Sequence, residues 1–537
     1  MASGVFEAYL SRAARAFFEG HFADAADRRR AVLRVVRPLA PAVADALEAQ
    51  NVRFAASAAR DAHLAALRRG AAAVVTGQQV GLFLGPLYTI YKAAAAVSVA
   101  RALAAESGQP VVPVFWLQTE DHDLPEIAAC HVPCARGAPL TLRLPAAPDE
   151  RVAIAHRTLP DAITTCLQQL RDELANLPHA EAHLARLARH YRAGAGWAEA
   201  FAGLLAELFT PEGLVLIDPR DASLAPAAAP IHRHALTNAQ PLAAALTARG
   251  HALAAAGWAA AVHVRAGAPL SFFHPAGPAG PRYRLESTSG GFAEVGGERV
   301  HSLETLLAFL AAEPLCFSTS ALLRPILQDS LLPTAAYVGG PGEVAYFAQL
   351  APLYDSYGVP MPLIVPRARF RILEEKTLRL LARLHFHPDD AQRPEDELLA
   401  AHRGADATLL ERSALARTLF KAFDAALQDV RARIEPAGPG LTAAVEKTRA
   451  TVEMAVSKLA AKYEKALLHQ DHELVEDVRR VKRLLYPQDG PQERFYGLPY
   501  FAARYGDRAF VERVLAAVAP FDPSPRDITW PAAEPLR

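Results

Sequence analysis

Val74-Val75-Thr76-Gly77-Gln78-Gln79-Val80-Gly81-Leu82-Phe83-Leu84-Gly85-Pro86-Leu87-Tyr88-Thr89-Ile90-Tyr91-Lys92 is the stretch on which the fold of this chain turns. It starts as a strand: Ala71 to Val75 is a short apolar run ending in β-branched residues and closed by Thr76-Gly77. It ends as a helix. Pro86 suits a first helical turn, where its missing N–H would have no partner, and the Ala-rich run Leu87 to Leu103 has high helix propensity. Gly77, Gly81 and Gly85 lie in the turn between. Strand, glycine loop and helix start are the unit with which open α/β sheets hold anions: free N–H groups point at the ligand, and glycine lets it approach the backbone. The spacing is neither G-x-G-x-x-G nor G-x-x-x-x-G-K-[ST]. By itself it fits a tight sheet-to-helix turn as well as a ligand loop.

Working outward, Val111-Val112-Pro113-Val114-Phe115-Trp116-Leu117 is the next strand, with Pro113 tolerable only near its start. Strand, helix, strand predicts a right-handed parallel crossover, so the polar segments after both strands share one carboxyl edge, where ligands bind in such sheets. The second of these is Glu120-Asp121-His122-Asp123. A carboxylate can raise the pKa of a histidine and fix its tautomer, making a general base, or the group could hold a cation. The plainer alternative is a polar loop capping a helix that starts near Leu124-Pro125-Glu126; its place after a buried strand shifts the balance toward a site. Cys130, His131 and Cys134 follow, but no paired C-x-x-C or H-x-x-x-H spacing supports zinc, and no metal is expected.

The size and charge of the chain bound its class. At 537 residues it predicts more than one domain, and 51% hydrophobic residues permit a large core. Lys+Arg and Asp+Glu are both 57, which removes the electrostatic argument for nucleic acid or a membrane as main partner. No apolar run approaches a membrane span and Met1 to Leu10 lacks a leader pattern, so the expected compartment is the cytoplasm. Four cysteines are too few for a disulfide scaffold.

Elsewhere, helical spacing marks Phe6 to Leu10, Ala31 to Ala49, Phe54 to Arg69, Ala162 to Leu177 and Trp197 to Phe209. Leu140 to Leu144 is a strand candidate, and Gly213 to Pro219 is a third buried strand ending in Asp218, with Asp221 beyond, each as suited to a helix cap as to a ligand. Short strands at Ala261 to Val264, Leu270 to Phe273 and Tyr283 to Glu286 predict a small β insertion within 259–300. Tyr337-Val338-Gly339-Gly340-Pro341-Gly342-Glu343 is a forced turn before a helix, Val344 to Tyr357, and Val359 to Val365 is a further strand. Arg324, Arg367 and Arg369 could neutralise phosphate or carboxylate. From Ile372 the character changes. Leu419, Phe423, Leu427, Val430 and Ile434, then Leu441, Val445, Thr448, Val452, Ala455 and Leu459, step by three and four either side of Glu435-Pro436-Ala437-Gly438-Pro439-Gly440. That is an antiparallel helical hairpin, a device for pairing or packing. A tail with an apolar helix at Phe510 to Val518 ends the chain.

These blocks resemble the bacillithiol-synthesis cysteine-adding enzymes. Thr76 through Lys92 is similar to the family's T-G-Q-Q-x-G-L-F-x-G-P-L-Y-T-I-Y-K, and Glu120 to Asp123 with Glu126-Ile127 to E-D-H-D-x-x-E-I. Gly213 to Asp218 resembles G-L-V-L-I-D. Leu323-Arg324-Pro325, Tyr337 to Glu343, Val365-Pro366-Arg367 and Gln492-Glu493-Arg494 resemble L-R-P, Y-x-G-G-P-G-E, V-P-R and Q-E-R. Thr119 stands where the family has glycine, and Ser318-Thr319-Ser320-Ala321 replaces S-P-N-V.

The resemblance implies an α/β fold: a Rossmann-like parallel-sheet core with connective insertions over 1–371, a helical coiled-coil arm over 372–485 that pairs two chains, and a tail over 486–537 packing back on the core. It implies a ligase joining L-cysteine through an amide to the amine of glucosaminyl-malate, the last step to bacillithiol. No tightly bound cofactor is expected; ATP is the candidate cosubstrate for activating the cysteine carboxylate, although no Walker or K-M-S-K-S run is present. The expected catalytic group is His122 with Asp121, Asp123 and Glu120. The expected substrate- or phosphate-binding group is Gly77, Gln78, Gln79, Gly81, Gly85, Tyr88, Lys92, Arg324, Tyr337, Gly339, Gly340, Gly342, Glu343 and Arg367. The competing readings are a non-catalytic dimeric scaffold that binds a sugar or nucleotide, and a transferase acting on a different amino-sugar acceptor.

Overall fold

The computed structural model describes residues 3–530 apart from 135–136, 146–150, 404, 435 and 437. The chain divides into two compact units, one of residues up to 371 together with 493–528, the other chiefly 372–492.

The first unit is built on a fully parallel sheet: β1 (Ala72–Gln79), β2 (Val111–Gln118), β3 (Val215–Ile217), β4 (Thr334–Gly339) and β5 (Leu363–Pro366) in the order β5-β4-β1-β2-β3. All five are buried runs rather than alternating ones, as expected of a parallel sheet covered on both faces. β1 does not stop at Val75. It continues to Gln79 because β2 pairs with it over its whole length, from Ala72↔Val111 to Gln79↔Gln118. Pro113 sits one residue before the ladder to β3 begins at Val114, and Pro366 lies on the edge strand, so neither lost N–H breaks an inner ladder.

Leu82–Leu84 forms a single 3-10 turn after β1, and helix α1 follows over Tyr88–Ser107. α1 is buried along nearly its whole length, which is what its run of alanines permits. Helix α2 (Pro341–Tyr357) leaves β4 through Gly340. The expected helix Ala31 to Ala49 is two, Ala25–Val35 and Pro41–Asn51, because Pro38 and Pro41 force extended backbone before them. The strand Leu140–Arg143 forms and pairs antiparallel with Ala129–Val132.

The β insertion is an antiparallel sheet of Ser271–Phe273, Tyr283–Thr288, Gly291–Glu294 and Val300–His301, extended by Phe317–Thr319. Ala261 to Val264 is not one of its strands. The Gln349 side chain accepts from the Val262 N–H at 2.9 Å and donates to the Val262 carbonyl at 2.9 Å, taking the place of a neighbouring strand.

In the second unit, helices α3 (Ala405–Ile434) and α4 (Pro439–Leu468) form the expected hairpin. Arg431–Glu446 at 2.5 Å and Arg449–Asp424 at 3.2 Å tie them across; Glu435 and Ala437 of the turn fall outside the described residues. The seam residues Leu419, Phe423, Leu427, Val445 and Val452 are half-buried, while Val430, Leu441 and Leu459 are exposed. At the base of the unit Leu380, Leu399, Val478 and Leu485 belong to a separate apolar core. No helix among the described residues is long and apolar enough to cross a membrane.

Candidate active site

The strand order places the chain's reversal point between β1 and β4: from β1 the chain steps outward to β2 and β3, then returns to β4 on the other side. Loops leaving two such strands diverge and open a crevice at their carboxyl ends. A cavity of about 360 Å³ lies there, lined from β1 by Gly77, Gln78 and Gln79, from β2 by Trp116 and Gln118, and from the turn after β4 by Gly340, Pro341, Gly342 and Glu343. All its lining residues belong to the first unit. Its volume is at the lower end for small-molecule sites.

A buried ion pair forms its floor. Lys92, one turn into α1, and Glu343, in the first turn of α2, meet with Nζ 2.5 Å from Oε2, their side chains 5% and 21% exposed. Lys92 also donates to the Gly77 carbonyl at 2.8 Å and to Gln78 Oε1 at 2.9 Å, so its three N–H donors have three protein acceptors. Glu343 accepts from the Tyr337 hydroxyl at 2.5 Å and from the Gly340 N–H at 2.8 Å. Burial alone would raise the Glu343 pKa; Lys92, Tyr337 and Gly340 together hold it below the usual carboxylate value. The pair fixes the ends of β1 and β4, so Lys92, which lines the cavity, also acts as a cross-strand pin.

Part of the lining is cationic. Arg324, Arg367 and Arg494 belong to it with Tyr88. Arg367 is neutralised by Glu493 at 2.5 Å, a pair almost fully buried. Arg324 donates instead to neutral acceptors, Gln328 Oε1 at 2.7 Å and the Tyr346 hydroxyl at 2.8 Å, and lies over the Tyr337 ring. Arg494 is exposed and sits over the Tyr88 ring, its guanidinium carbon 6.0 Å from the centroid. Among the described residues neither Arg324 nor Arg494 has a carboxylate at ion-pair distance. The first turn of α2 adds partial positive charge to the rim.

Another part of the lining is anionic. Gln79 Nε2 donates to Asp121 Oδ2 at 2.9 Å and to Glu126 Oε2 at 2.8 Å, holding the two lining carboxylates together. The Arg282 guanidinium stands 3.9 Å from Asp121 and the His122 Nδ1 3.6 Å. The lining thus offers both signs of charge, suited to ligands that carry both a carboxylate or phosphate and an ammonium.

Of the residues expected to act, Asp121, Gly77, Gln78, Gln79, Tyr88, Lys92, Arg324, Tyr337, Gly340, Gly342, Glu343 and Arg367 line this cavity. Glu120 does not. It is buried, and its carboxylate accepts from the Thr319 N–H at 3.2 Å and from the Thr319 hydroxyl. Asp123 is exposed and caps the short helix Leu124–Ile127 by accepting from the Glu126 N–H. His122 stands beside the cavity, not in its lining. Its backbone N–H is held by Asp121 Oδ1 at 2.7 Å, and its buried Nδ1 has no hydrogen-bond partner. Burial, then Arg282, lower its pKa against the opposite pull of Asp121 and Asp123, the reverse of the expected rise.

The glycine loop is also corrected. Gly81 and Gly85 pack on each other: a Cβ on Gly81 would lie 2.8 Å from Gly85 Cα, and Gly85 has φ +64°. The Gly81, Gly85 and Leu87 N–H groups donate to Gln79, Leu82 and Tyr496 carbonyls, so this loop is no anion nest. Gly339 is required by contact with Glu343 Cβ and the Tyr337 ring, not by a ligand. Asp221 is a cap and Asp218 accepts from Thr119 Oγ1 at 2.5 Å, which is what the threonine in the family's glycine position does here. Glu126 and Arg494 carried no expected role, although both stand in blocks that resemble the family's motifs.

The family profile described as "Bacillithiol biosynthesis BshC, N-terminal Rossmann-like domain" matches residues 2–368, and that described as "Bacillithiol biosynthesis BshC, C-terminal coiled-coil domain" matches 370–524. A protein of Koribacter versatilis is 36% identical over 466 residues, covering 86% of this chain and 85% of its own. One of Solibacter usitatus is 32% identical over 81% of this chain and 80% of its own, and one of Geobacillus thermodenitrificans 29% identical over 89% and 88%. Each of these relatives bears the name "Putative cysteine ligase BshC". With a Rossmann-like core, a coiled-coil unit and both profiles matched across nearly its whole length, this chain belongs to the bacillithiol biosynthesis BshC family.

Proposed function

We propose that the cavity at the ends of β1 and β4 is where L-cysteine is joined, through its carboxylate, to the amine of glucosaminyl-malate to give bacillithiol. The observation that carries this reading is a lining that holds both signs of charge: Arg324 and Arg494 without carboxylate partners at ion-pair distance, and Asp121 with Glu126. Cysteine is a zwitterion, and the acceptor has an amine and an acidic malate group, so each substrate carries charge of both signs. The name borne by the relatives points the same way.

An amide forms from a free carboxylate only after one oxygen becomes a leaving group. ATP is the proposed cosubstrate for that activation, and the guanidiniums of Arg324 and Arg494 are the groups suited to phosphate oxygens. The acceptor amine must lose a proton before it attacks. Asp121 faces the cavity and is the group proposed to take that proton, with Glu126 holding the ammonium before transfer. His122, the originally expected base, stands at the edge of the same loop. The test is to incubate purified protein with cysteine, glucosaminyl-malate and ATP and follow product mass together with nucleotide consumption. Product without nucleotide turnover removes the ATP step; neither product nor binding of either substrate removes the ligase reading.

A cytoplasmic homodimer paired through the helical arm is part of the same proposal. It is supported by the exposed apolar residues Val430, Leu441, Met454, Leu459 and Tyr463 along α3 and α4, and it is checked by sedimentation of the whole chain.

A further inference from the structure

Behind the cationic part of the lining lies a buried chain of side chains that the proposed reaction does not use. Arg324 opens the helix Arg324–Leu331, and Gln328 and Asp329 lie one turn further on. Arg324 Nη1 donates to Gln328 Oε1 at 2.7 Å; Gln328 Nε2 donates to Asp329 Oδ1 at 2.7 Å. Gln328 is completely buried and Asp329 3% exposed. The two bonds fix which way the amide points: its oxygen must face the guanidinium and its nitrogen the carboxylate. The other Asp329 oxygen accepts from the Tyr354 hydroxyl at 2.5 Å, from α2.

We propose that Asp329, acting through the Gln328 amide, is a positioning residue that sets the orientation and effective charge of Arg324 in the anion-binding part of the lining. The inference rests on the reading that Arg324 faces a ligand, and on nothing about the reaction itself. A buried guanidinium whose hydrogen-bond partners are all neutral keeps its full charge for an incoming anion. A carboxylate one amide away offsets part of that charge in a low-dielectric surrounding. The device therefore has two settings, according to whether Asp329 is ionised.

Asp329 is placed to change setting near neutrality. Burial pushes its pKa up to about 6, against the lowering effect of Tyr354, Thr334, Gln328 and Arg324. Those four residues face it, Tyr354 from α2, Thr334 from β4 and the other two from its own helix. The groups around Arg324 are Tyr337, Tyr346 and Glu343, and no histidine lines the cavity. The sign follows: an anion beside Arg324 favours neutral Asp329, so affinity rises as pH falls through the Asp329 pKa and declines above it.

The test uses the whole protein and inorganic sulfate, whose charge is constant over the range, with neither cysteine nor sugar present. Sulfate affinity is measured by calorimetry from pH 5 to 8. Arg324→Met abolishes binding if the probe sits at this part of the lining. In the unaltered protein affinity falls roughly tenfold across the range; Asp329→Asn, which removes the charge and keeps one acceptor oxygen for Gln328 while its NH2 turns to the Tyr354 oxygen, holds the tight value throughout. Tyr354→Phe removes a bond that lowers the Asp329 pKa, so the midpoint of the profile moves to higher pH with Asp329 in place. The proposal is overturned if sulfate binding shows no pH dependence, or if the profile survives unchanged in both Asp329→Asn and Tyr354→Phe. Loss of ligase turnover with this sulfate profile intact would count against the proposed reaction and not against the relay.

Discussion

Lys92 Nζ lies 2.5 Å from Glu343 Oε2, joining the helix after β1 to the helix after β4 across the point where the strand order reverses. The pair is buried, so removing one partner leaves an uncompensated charge. Lys92→Met is expected to cost about 3–5 kcal/mol, read from the midpoint of denaturant unfolding, while Lys92→Met with Glu343→Gln costs markedly less. The pH dependence has a definite sign. The folded-state pKa of Glu343 is held below its ordinary value of 4.5. Its contribution is therefore present above that value and is lost as pH falls through the folded one. Unfolding curves between neutral pH and pH 3 for the protein and for Glu343→Gln separate this contribution from general acid effects.

The glycines divide into those required by the chain and those facing the cavity. A methyl group on Gly81 meets Gly85 Cα at 2.8 Å, whereas one on Gly342 meets nothing within 4 Å. Gly81→Ala is expected to destabilise by about 1–3 kcal/mol. Gly342→Ala, in the first turn of α2 and lining the cavity, is expected to leave stability unchanged or raise it by about 0.5 kcal/mol while weakening substrate binding. A Gly342→Ala protein that binds both substrates normally would place the ligand away from this turn.

Much of the core is legible in the residues because parallel strands are buried on both faces and leave continuous apolar runs: Val111 to Leu117 lies within β2, and Gly213 to Pro219 encloses the shorter β3, Val215–Ile217, with Gly213 in the left-handed region before it. Polar loops were harder. In Glu120-Asp121-His122-Asp123 three carboxylates have three different fates. Glu120 is buried on Thr319, Asp123 caps a helix, and Asp121 faces the cavity. What separates them is the direction of each side chain, and the partners that set it come from almost 200 residues away in the case of Glu120. The glycine loop misled for a related reason. Gly81 and Gly85 read as space for a ligand, but the space is for each other. Val262 shows a third limit, since a single glutamine side chain stands in for the strand its sequence anticipates.

Arg494 separates binding from folding better than Arg324 does. It is exposed, and its recorded contact is the Tyr88 ring. Arg494→Met is therefore expected to change stability by no more than about 0.5 kcal/mol. It removes a charge-assisted contact to an anionic substrate, worth about 1.5–3 kcal/mol, so KM for that substrate should rise at least tenfold with kcat little altered. Equal losses in kcat and kcat/KM would instead mean that Arg494 acts only on the transition state.

The base assignment is decided by comparing Asp121 with its neighbour. Asp121 lines the cavity and shares Gln79 Nε2 with Glu126, while the His122 ring stands 3.6 Å from Asp121 and outside the lining. Asp121→Asn can keep the bond from Gln79 while giving up the one from the His122 N–H, and it cannot accept a proton, so kcat should fall by about 10²–10⁴. His122→Ala removes no group from the cavity and should cost less than about tenfold. The pH profile gives an independent readout. Burial and Arg282 keep the His122 pKa below 6.5, so a histidine base would place the acid limb of kcat/KM below that value and lose it in His122→Ala. With Asp121 as the base, the acid limb survives His122→Ala and disappears with Asp121→Asn. A His122→Ala protein that loses both rate and limb, while Asp121→Asn retains them, would return the proton transfer to the imidazole.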